Sequence, residues 1–188
     1  MSGKIPIKEV LKVVKKPMSN DDIKKYLPNS KIFKYEDLYK FNSIKDILTK
    51  DKDFCFILFM QFNNYGHWIC IVRNDNNFYY FDSYGNPIDY FFNWNDEETN
   101  KRLNQPYPYM NQLFKNIDNS YYNGVKYQEI DDKIEISTCG RHCIFFILNC
   151  LNYDKDLLNY YKFMSSLSTK FKIQYDIIVI QYIDKINK

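Results

Sequence analysis

Three runs of closely spaced apolar residues between positions 54 and 82 dominate the hydrophobic pattern of this chain. Residues 54–60 are apolar without interruption, which is typical of a strand buried on both faces. Residues 67–72 and 78–82 form two further runs, preceded by polar turns at 63–66 and 74–77. The pattern therefore predicts three consecutive strands, the last two joined as an antiparallel hairpin.

Capping residues and helical spacing predict helices on either side of these strands. Ser19 and Ser43 stand where an N-cap is expected, so a short helix should follow each, the first ended by Pro28. Later helices are predicted at about 109–117, 156–166 and 175–186. In the last of these, the β-branched stretch 177–180 leaves a strand as an alternative.

The apolar run 144–148 follows the string Thr138-Cys139-Gly140-Arg141-His142-Cys143. This arrangement predicts a buried helix that begins at Cys139.

Two stretches are less regular. Residues 5–14 are expected to form a strand or a short helix, and the polar, proline-containing stretch 93–108 to form a loop, either one wall of a substrate groove or a plain surface connection.

These elements predict one α+β domain spanning 1–188, in which a mixed or antiparallel sheet packs against helices around the helix that starts at Cys139. A chain of 188 residues is long enough for one domain with a substantial core. We expect residues 1–50 to form a helical cover, 51–151 to form the core with the candidate site, and 152–188 to form a helical segment.

Composition narrows the setting of the protein. Aromatic residues make up 19% of the chain, which predicts an aromatic-rich core. Five cysteines without disulfide-scaffold spacing, no signal peptide and no membrane-spanning apolar stretch indicate a reducing compartment. The net charge of +3 comes from charges of mixed sign, so we expect at most weak contact with nucleic acid.

Cys139 is the candidate nucleophile. The N–H groups at a helix start favour a thiolate, the reactive form of cysteine. The other four cysteines lie in apolar runs and are expected to be core thiols, since cysteine is among the most buried residue types. They are Cys55, Cys70, Cys143 and Cys150.

A base and an orienting carboxylate are available upstream. In an antiparallel hairpin the start of one strand lies beside the end of its partner, so His67 and Asp82 should meet at one sheet edge. Asp82 also suits a turn cap, a role compatible with the first. The other histidine, His142, lies in the first turn of the helix, where we expect a surface or packing residue without a carboxylate partner. Trp68 is expected to pack beside His67 and shield it from water.

A zinc site is the alternative use of this region. Cys139, His142 and Cys143 supply ligand types, but a second ligand pair at zinc-like spacing is missing. We therefore expect no metal.

Taken in order, these motifs resemble a known family. His-Trp opening a strand, Asp closing the next strand, a later Gln and Cys-Gly at a helix start are similar to adenain and the SUMO-deconjugating proteases. The strings Phe81-Asp82-Ser83-Tyr84-Gly85 and Thr138–His142 are most similar to maturation proteases of virophages and large DNA viruses. The resemblance covers roughly residues 54–151 and implies an adenain-like cysteine protease fold.

The resemblance implies a role for each site residue. Cys139 would be the nucleophile, His67 the general base, Asp82 the group that orients the imidazole, and Gln128 an oxyanion donor beside the backbone N–H of Cys139. Gln128 precedes Cys139 by eleven residues, more than the family spacing, so we expect residues 129–136 to form an extra strand or loop that returns Gln128 to the site. Gln128 has two competitors for its role, Asn123 and Gln112. No metal or organic cofactor is implied.

The implied function is a cysteine endopeptidase that acts through a thioester and processes viral capsid precursors at small-residue sites such as Gly-Gly or Gly-Ala. The alternative enzyme is an isopeptidase that removes ubiquitin-like modifiers. A binding module on an inactive protease fold is disfavoured, because all three catalytic residue types are present. We expect a protein substrate, no membrane association, a monomer, and a location in the host cytoplasm or virus factory and within the virion.

Overall fold

The computed structural model describes residues 12–61, 65–129 and 136–183. The predicted element at 5–14 and the added segment at 129–136 lie largely outside this part of the chain, as does half of the predicted turn at 63–66. Of the first element, residues 12–14 are helical.

A mixed β-sheet forms the centre of the fold, and within the described residues it has five strands. These are β1 (Lys31–Lys34), β2 (Asp53–Met60), β3 (Gly66–Asn74), β4 (Asn77–Phe81) and β5 (Ser120–Tyr122). Their order in the sheet follows the chain. The three central strands are antiparallel, whereas β1 and β5 run parallel to their neighbours. The three predicted strands and the hairpin are confirmed.

Helices cover both faces of the sheet. They are α1 (Asn20–Tyr26), α2 (Ile44–Ile47), α3 (Glu97–Arg102), α4 (Tyr109–Phe114), α5 (Cys139–Tyr153), α6 (Leu157–Phe171) and α7 (Tyr175–Ile183), with 3₁₀ turns at Tyr35–Lys40 and Tyr90–Trp94. Ser19 and Ser43 cap α1 and α2 through capping boxes, as predicted. The fold class is α+β, which confirms the prediction; the adenain-like assignment stays a prediction. Within the described residues, no helix is long and apolar enough to cross a membrane.

Two regions differ from the sequence predictions. The N-terminal fifty residues are not a purely helical cover, because β1 pairs with β2 and the Lys31 ammonium anchors it to Asp53 at 2.6 Å. Within the expected loop 93–108, α3 forms because Asp96 caps it, accepting a hydrogen bond from the N–H of Thr99 at 2.6 Å.

The central strands are buried on both faces. In β2, Phe56 faces one core and its neighbours Cys55 and Ile57 face the other, and all three are inaccessible to solvent. This alternation explains the uninterrupted apolar run, since a strand covered on both sides has no solvent-facing positions.

Helix α5 lies in the first core, against the face of β3 that carries Trp68 and Cys70. Most of its residues are buried, and they include the polar Arg141, His142 and Asn149 beside the apolar run 144–147. Helix α7 packs on α5, and its residues Ile178 and Val179 belong to the same core. Residues 177–180 are therefore helical and not a strand. Burial against α5 outweighs the preference of their β-branched side chains for a strand.

Candidate active site

The β3–β4 hairpin brings His67 and Asp82 together. His67 is the second residue of β3, and Asp82 directly follows β4. The imidazole Nε2 lies 2.8 Å from the Asp82 carboxylate oxygen Oδ1, and both side chains are buried. An ionised carboxylate accepts, so Nε2 carries the shared hydrogen and Nδ1 is the nitrogen left to face a nucleophile.

Asp82 is fixed from both its backbone and its side chain. The Asn123 side chain accepts from the Asp82 N–H at 2.9 Å and donates to the Asp82 carbonyl at 2.8 Å. The N–H of Tyr84 donates to Asp82 Oδ1 at 2.9 Å, which is the turn-capping role expected beside the first one. The second amide hydrogen of Asn123 goes to the Val125 carbonyl at 2.9 Å. Asn123 is therefore a scaffold for the carboxylate, and both of its donors are occupied.

Cys139 begins α5, as predicted, and its thiol faces His67. The side chain is 7% exposed and lines the same cavity as the imidazole. Burial raises the pKa of the Cys139 thiol, but the hydrogen bond and charge of His67, with backbone hydrogen bonds from Trp68 and Gly140, outweigh it and lower the pKa overall. The structure thus favours a thiolate at this position.

The pKa of the His67 imidazole shifts in the opposite direction to that of the thiol. Burial lowers its pKa, but the charge of Asp82 and hydrogen bonds to Asp82 and Cys139 more than offset burial, so the pKa is raised overall. A lowered thiol pKa beside a raised imidazole pKa favours a thiolate–imidazolium pair.

The remaining thiols behave as core residues. All five cysteines lie in the described part of the chain and are free. Burial raises the pKa of each of the other four, to about 12 for Cys55 and Cys150. Cys139 is thus the cysteine whose surroundings favour the reactive form.

Gln128 returns to the site despite its distance from Cys139 in sequence. It is 1% exposed and lines the cavity with Cys139. Its Oε1 accepts from the Ser83 hydroxyl at 2.9 Å, and its Nε2 donates to the Tyr84 hydroxyl at 3.0 Å and to the Ile136 carbonyl at 2.8 Å. Three hydrogen bonds therefore fix the amide in the cavity wall. Its predicted competitor Gln112 lies on the exposed side of α4 and does not line this cavity.

Aromatic rings surround the imidazole. Tyr84 stacks on His67 with ring centroids 5.0 Å apart, and Trp94 meets it edge-on at 5.1 Å. Trp68 is a core residue, as predicted, but its indole N–H donates to the Met18 carbonyl at 2.8 Å, and it packs on Phe56. The shield expected from Trp68 is thus provided by Tyr84 and Trp94.

Two glycines allow close packing around the site. Gly85 ends the turn after Asp82 with φ +72°, and a Cβ there would lie 2.7 Å from the Val125 carbonyl carbon. At Gly140, a Cβ would lie 3.1 Å from the Cβ of Met18 and 3.3 Å from the Trp68 ring. The start of α5 can therefore approach β3 closely.

The prediction for His142 is wrong in one respect. The residue is a packing residue, fully buried, but it does have a carboxylate partner: its Nε2 lies 3.0 Å from Asp176 Oδ1 on α7. No sequence signal linked these two positions. The cavity is lined by His67 and not by His142, so the structure brings His67 to the thiol.

The cavity beside Cys139 has a volume of about 900 Å³. Its walls are mainly aromatic and polar, with two lysines, and they include Lys15, Pro17, Gln61, Tyr65, Gly66, Asn86, Tyr90, Lys126 and Ser137. Trp94 is the one residue of the predicted 93–108 loop that lines the cavity, and Tyr90 precedes that loop. Among the described residues, no group of three or more His, Cys, Asp or Glu side chains could hold a metal ion.

Fold and site together define an α+β protein in which a buried Cys–His–Asp cluster opens onto a cavity. No protein-family model matches the chain. Uncharacterized protein V9 of Sputnik virophage is 32% identical over 176 residues, which cover 92% of this chain and 97% of V9. The chain belongs to the family of this virophage protein.

Proposed function

We propose that the chain is a cysteine endopeptidase that processes viral capsid precursors during virion maturation. The observation that carries the proposal is the buried cluster of Cys139, His67 and Asp82, in which Cys139 and His67 line the cavity and the pKa shifts favour a thiolate facing an imidazolium. The virophage relative and the resemblance of the two sequence strings to viral maturation proteases support the viral role.

In the first half of the proposed reaction, the Cys139 thiolate attacks the carbonyl carbon of the scissile bond. The charge that develops on the carbonyl oxygen is stabilised by the backbone N–H of Cys139 and by the Gln128 amide, either directly once its Nε2 releases the Tyr84 hydroxyl or through that hydroxyl. As the C–N bond breaks, the proton on His67 Nδ1 passes to the leaving amine, and a thioester remains on Cys139.

In the second half, neutral His67 takes a proton from water, and the hydroxide attacks the thioester carbonyl. The C–S bond then breaks, which releases the acid and restores the thiolate beside the imidazolium. Asp82 holds the ring so that Nδ1 faces the sulfur throughout, and its charge stabilises the imidazolium.

The test uses peptides that contain Gly-Gly or Gly-Ala, together with the capsid precursor encoded in the same genome. Mass spectrometry of the products should show cleavage at small residues by wild type and none by Cys139→Ala. Gln112→Ala, a truncation on the exposed side of α4 and away from the cavity, is the control and should retain cleavage.

An electrophilic ubiquitin or SUMO probe separates the alternative enzyme. Rapid capture of Cys139 by such a probe, with no cleavage of any peptide or precursor, would replace this proposal by modifier deconjugation. If Cys139 reacts with neither kind of substrate, the chain is a binding module.

A further inference from the structure

Asp176 is a buried carboxylate that the proposed reaction does not use. It is 1% exposed and lies at the second position of α7. Its Oδ1 accepts from the hydroxyl of Thr138 and lies 3.0 Å from Nε2 of His142, and its Oδ2 accepts from the N–H of Glu129 at 3.1 Å. Three partners on one side chain fit the rule that a buried carboxylate is stable only when hydrogen-bonded.

The three partners flank the site. Thr138 immediately precedes Cys139, and His142 follows it by one helical turn. Glu129 immediately follows Gln128 in the chain. The Asp176 carboxylate therefore joins the segment that carries the thiol to the segment that carries the candidate oxyanion amide.

Thr138 shows what this connection does to α5. A threonine at an N-cap normally accepts a hydrogen bond from the first helical N–H groups. Here Thr138 is the N-cap residue but makes no such side-chain bond, and its hydroxyl is donated to Asp176 instead. The Thr138 side chain therefore does not cap the first N–H groups of α5. One of these groups, the Gly140 N–H, donates a hydrogen bond to the Cys139 thiol.

His142 completes the arrangement. Its Nδ1 is buried and has no hydrogen-bond partner, so the network fits the tautomer in which Nε2 carries the hydrogen and donates to Asp176. This histidine then serves the carboxylate rather than the thiol.

We propose that Asp176 is a positioning residue that sets the distance between the two oxyanion donors, the Cys139 N–H and the Gln128 amide. The inference rests on the proposed peptidase function and deepens it. Loss of the Thr138–Asp176 bond would let the Gln128 segment move away from the start of α5, while Cys139 stays beside the His67–Asp82 pair because Gly140 packs against Met18 and Trp68. A displacement near 1 Å can cost about 10²-fold in rate.

The chain offers a matched pair of substitutions. Thr138→Ser keeps the hydroxyl that Asp176 accepts, whereas Thr138→Val keeps the shape and loses it. We expect Thr138→Val to lower kcat for peptide hydrolysis by about tenfold to a hundredfold with KM little changed. Thr138→Ser should remain within about twofold of wild type, an estimate based on the retained hydrogen bond.

The decisive readout is iodoacetamide alkylation of Cys139. Alkylation requires the thiolate but forms no oxyanion, so its rate and the pH of its midpoint should be unchanged in Thr138→Val. Asp176→Asn, of nearly equal volume, should show the same divergence between kcat and alkylation. All variants are assayed at a temperature at which circular dichroism shows them folded.

Asn74→Ala is the control for lost stability. Asn74 is buried at the far end of β3, where its amide contacts the Cys150 carbonyl at 3.5 Å near the other end of α5. This variant should lose thermal stability and keep kcat.

Three results would count against the inference. Equal kcat in the two Thr138 variants would refute it, as would a parallel fall of kcat and alkylation rate in Thr138→Val. A wild-type protein that is alkylated at Cys139 but hydrolyses no peptide or isopeptide would remove the proposed function itself, and with it the reaction that Asp176 serves.

Discussion

Tyr84 stacks on the His67 imidazole at a centroid distance of 5.0 Å with an angle of 23° between the rings. Its hydroxyl also accepts a hydrogen bond from the Gln128 amide at 3.0 Å. One side chain thus contacts the candidate base and the candidate oxyanion donor. The Ile136 carbonyl accepts the other amide hydrogen of Gln128. Gln128 therefore has two routes to an oxyanion: the amide gives up its hydrogen bond to Tyr84 and donates directly, or it acts through the Tyr84 hydroxyl.

Tyr84→Phe removes only the hydroxyl oxygen and so tests the second route, in which Gln128 acts through the Tyr84 hydroxyl. The ring still stacks on His67, but the hydroxyl that orients Gln128 is gone. We expect kcat to fall by about tenfold, the effect of one ordinary hydrogen bond, with the alkylation rate of Cys139 unchanged. Steady-state kinetics on a peptide substrate measures the change. An equal or higher kcat would mean that the hydroxyl competes with substrate for the amide.

Cys139 should be the first cysteine alkylated by iodoacetamide in the folded protein. Its pKa is lowered overall, so the alkylation rate should rise at a lower pH than the value of about 8.5 that is usual for a free thiol. In His67→Ala the charge and hydrogen bond are lost while burial remains, so the midpoint should move to higher pH. Peptide mapping identifies the labelled residue. First labelling of Cys143 would contradict the assignment.

Asp82→Asn should leave the protein folded and lower kcat by about 10²–10⁴, since an amide can favour the wrong imidazole tautomer. The charge of Asp82 raises the pKa of His67, so its removal should lower that pKa and shift the alkaline loss of activity to lower pH. A pH profile of kcat checks the direction. His67→Ala should be at least as damaging, and an active His67→Ala beside an inactive His142→Ala would reverse the roles of the two histidines.

Gln128→Ala should lower kcat by about 10²–10³, the usual loss for one oxyanion donor. The rate of Cys139 alkylation should change little, because that reaction forms no oxyanion. Gln112→Ala, an equal truncation on the exposed side of α4, is the control and should match wild type. Wild-type kcat in Gln128→Ala would remove the amide from the proposed mechanism.

The strands and the His67–Asp82 pair could be predicted because their signals are local. A continuous apolar run, two short turns and antiparallel pairing determine which strand ends meet. The start of α5 at Cys139 follows from an equally local pattern, in which the turn-compatible Gly140 stands shortly before the apolar run 144–148. The Ser19 and Ser43 caps are also local, and each side chain bonds within its own helical turn.

The features that the sequence did not predict depend on contacts between distant segments or on weak local signals. Asp176 lies 34 residues from His142, and no periodicity links the two positions. Strand β1 has only four residues, and its place is set by pairing with β2. Helix α3 did carry a signal, since Asp96 is followed by acidic and then basic residues, but the two prolines nearby favoured a loop.

The order of elements along the chain has a consequence for synthesis. A chain emerges from the ribosome N-terminus first, so the β3–β4 hairpin can pair His67 with Asp82 before residues 139–183 exist. Helix α5 gains the Asp176 anchor only after α7 has followed it out. The nascent chain can therefore pair its base and carboxylate before the segment that carries the thiol is anchored, and the complete cluster requires residue 176 to have been translated.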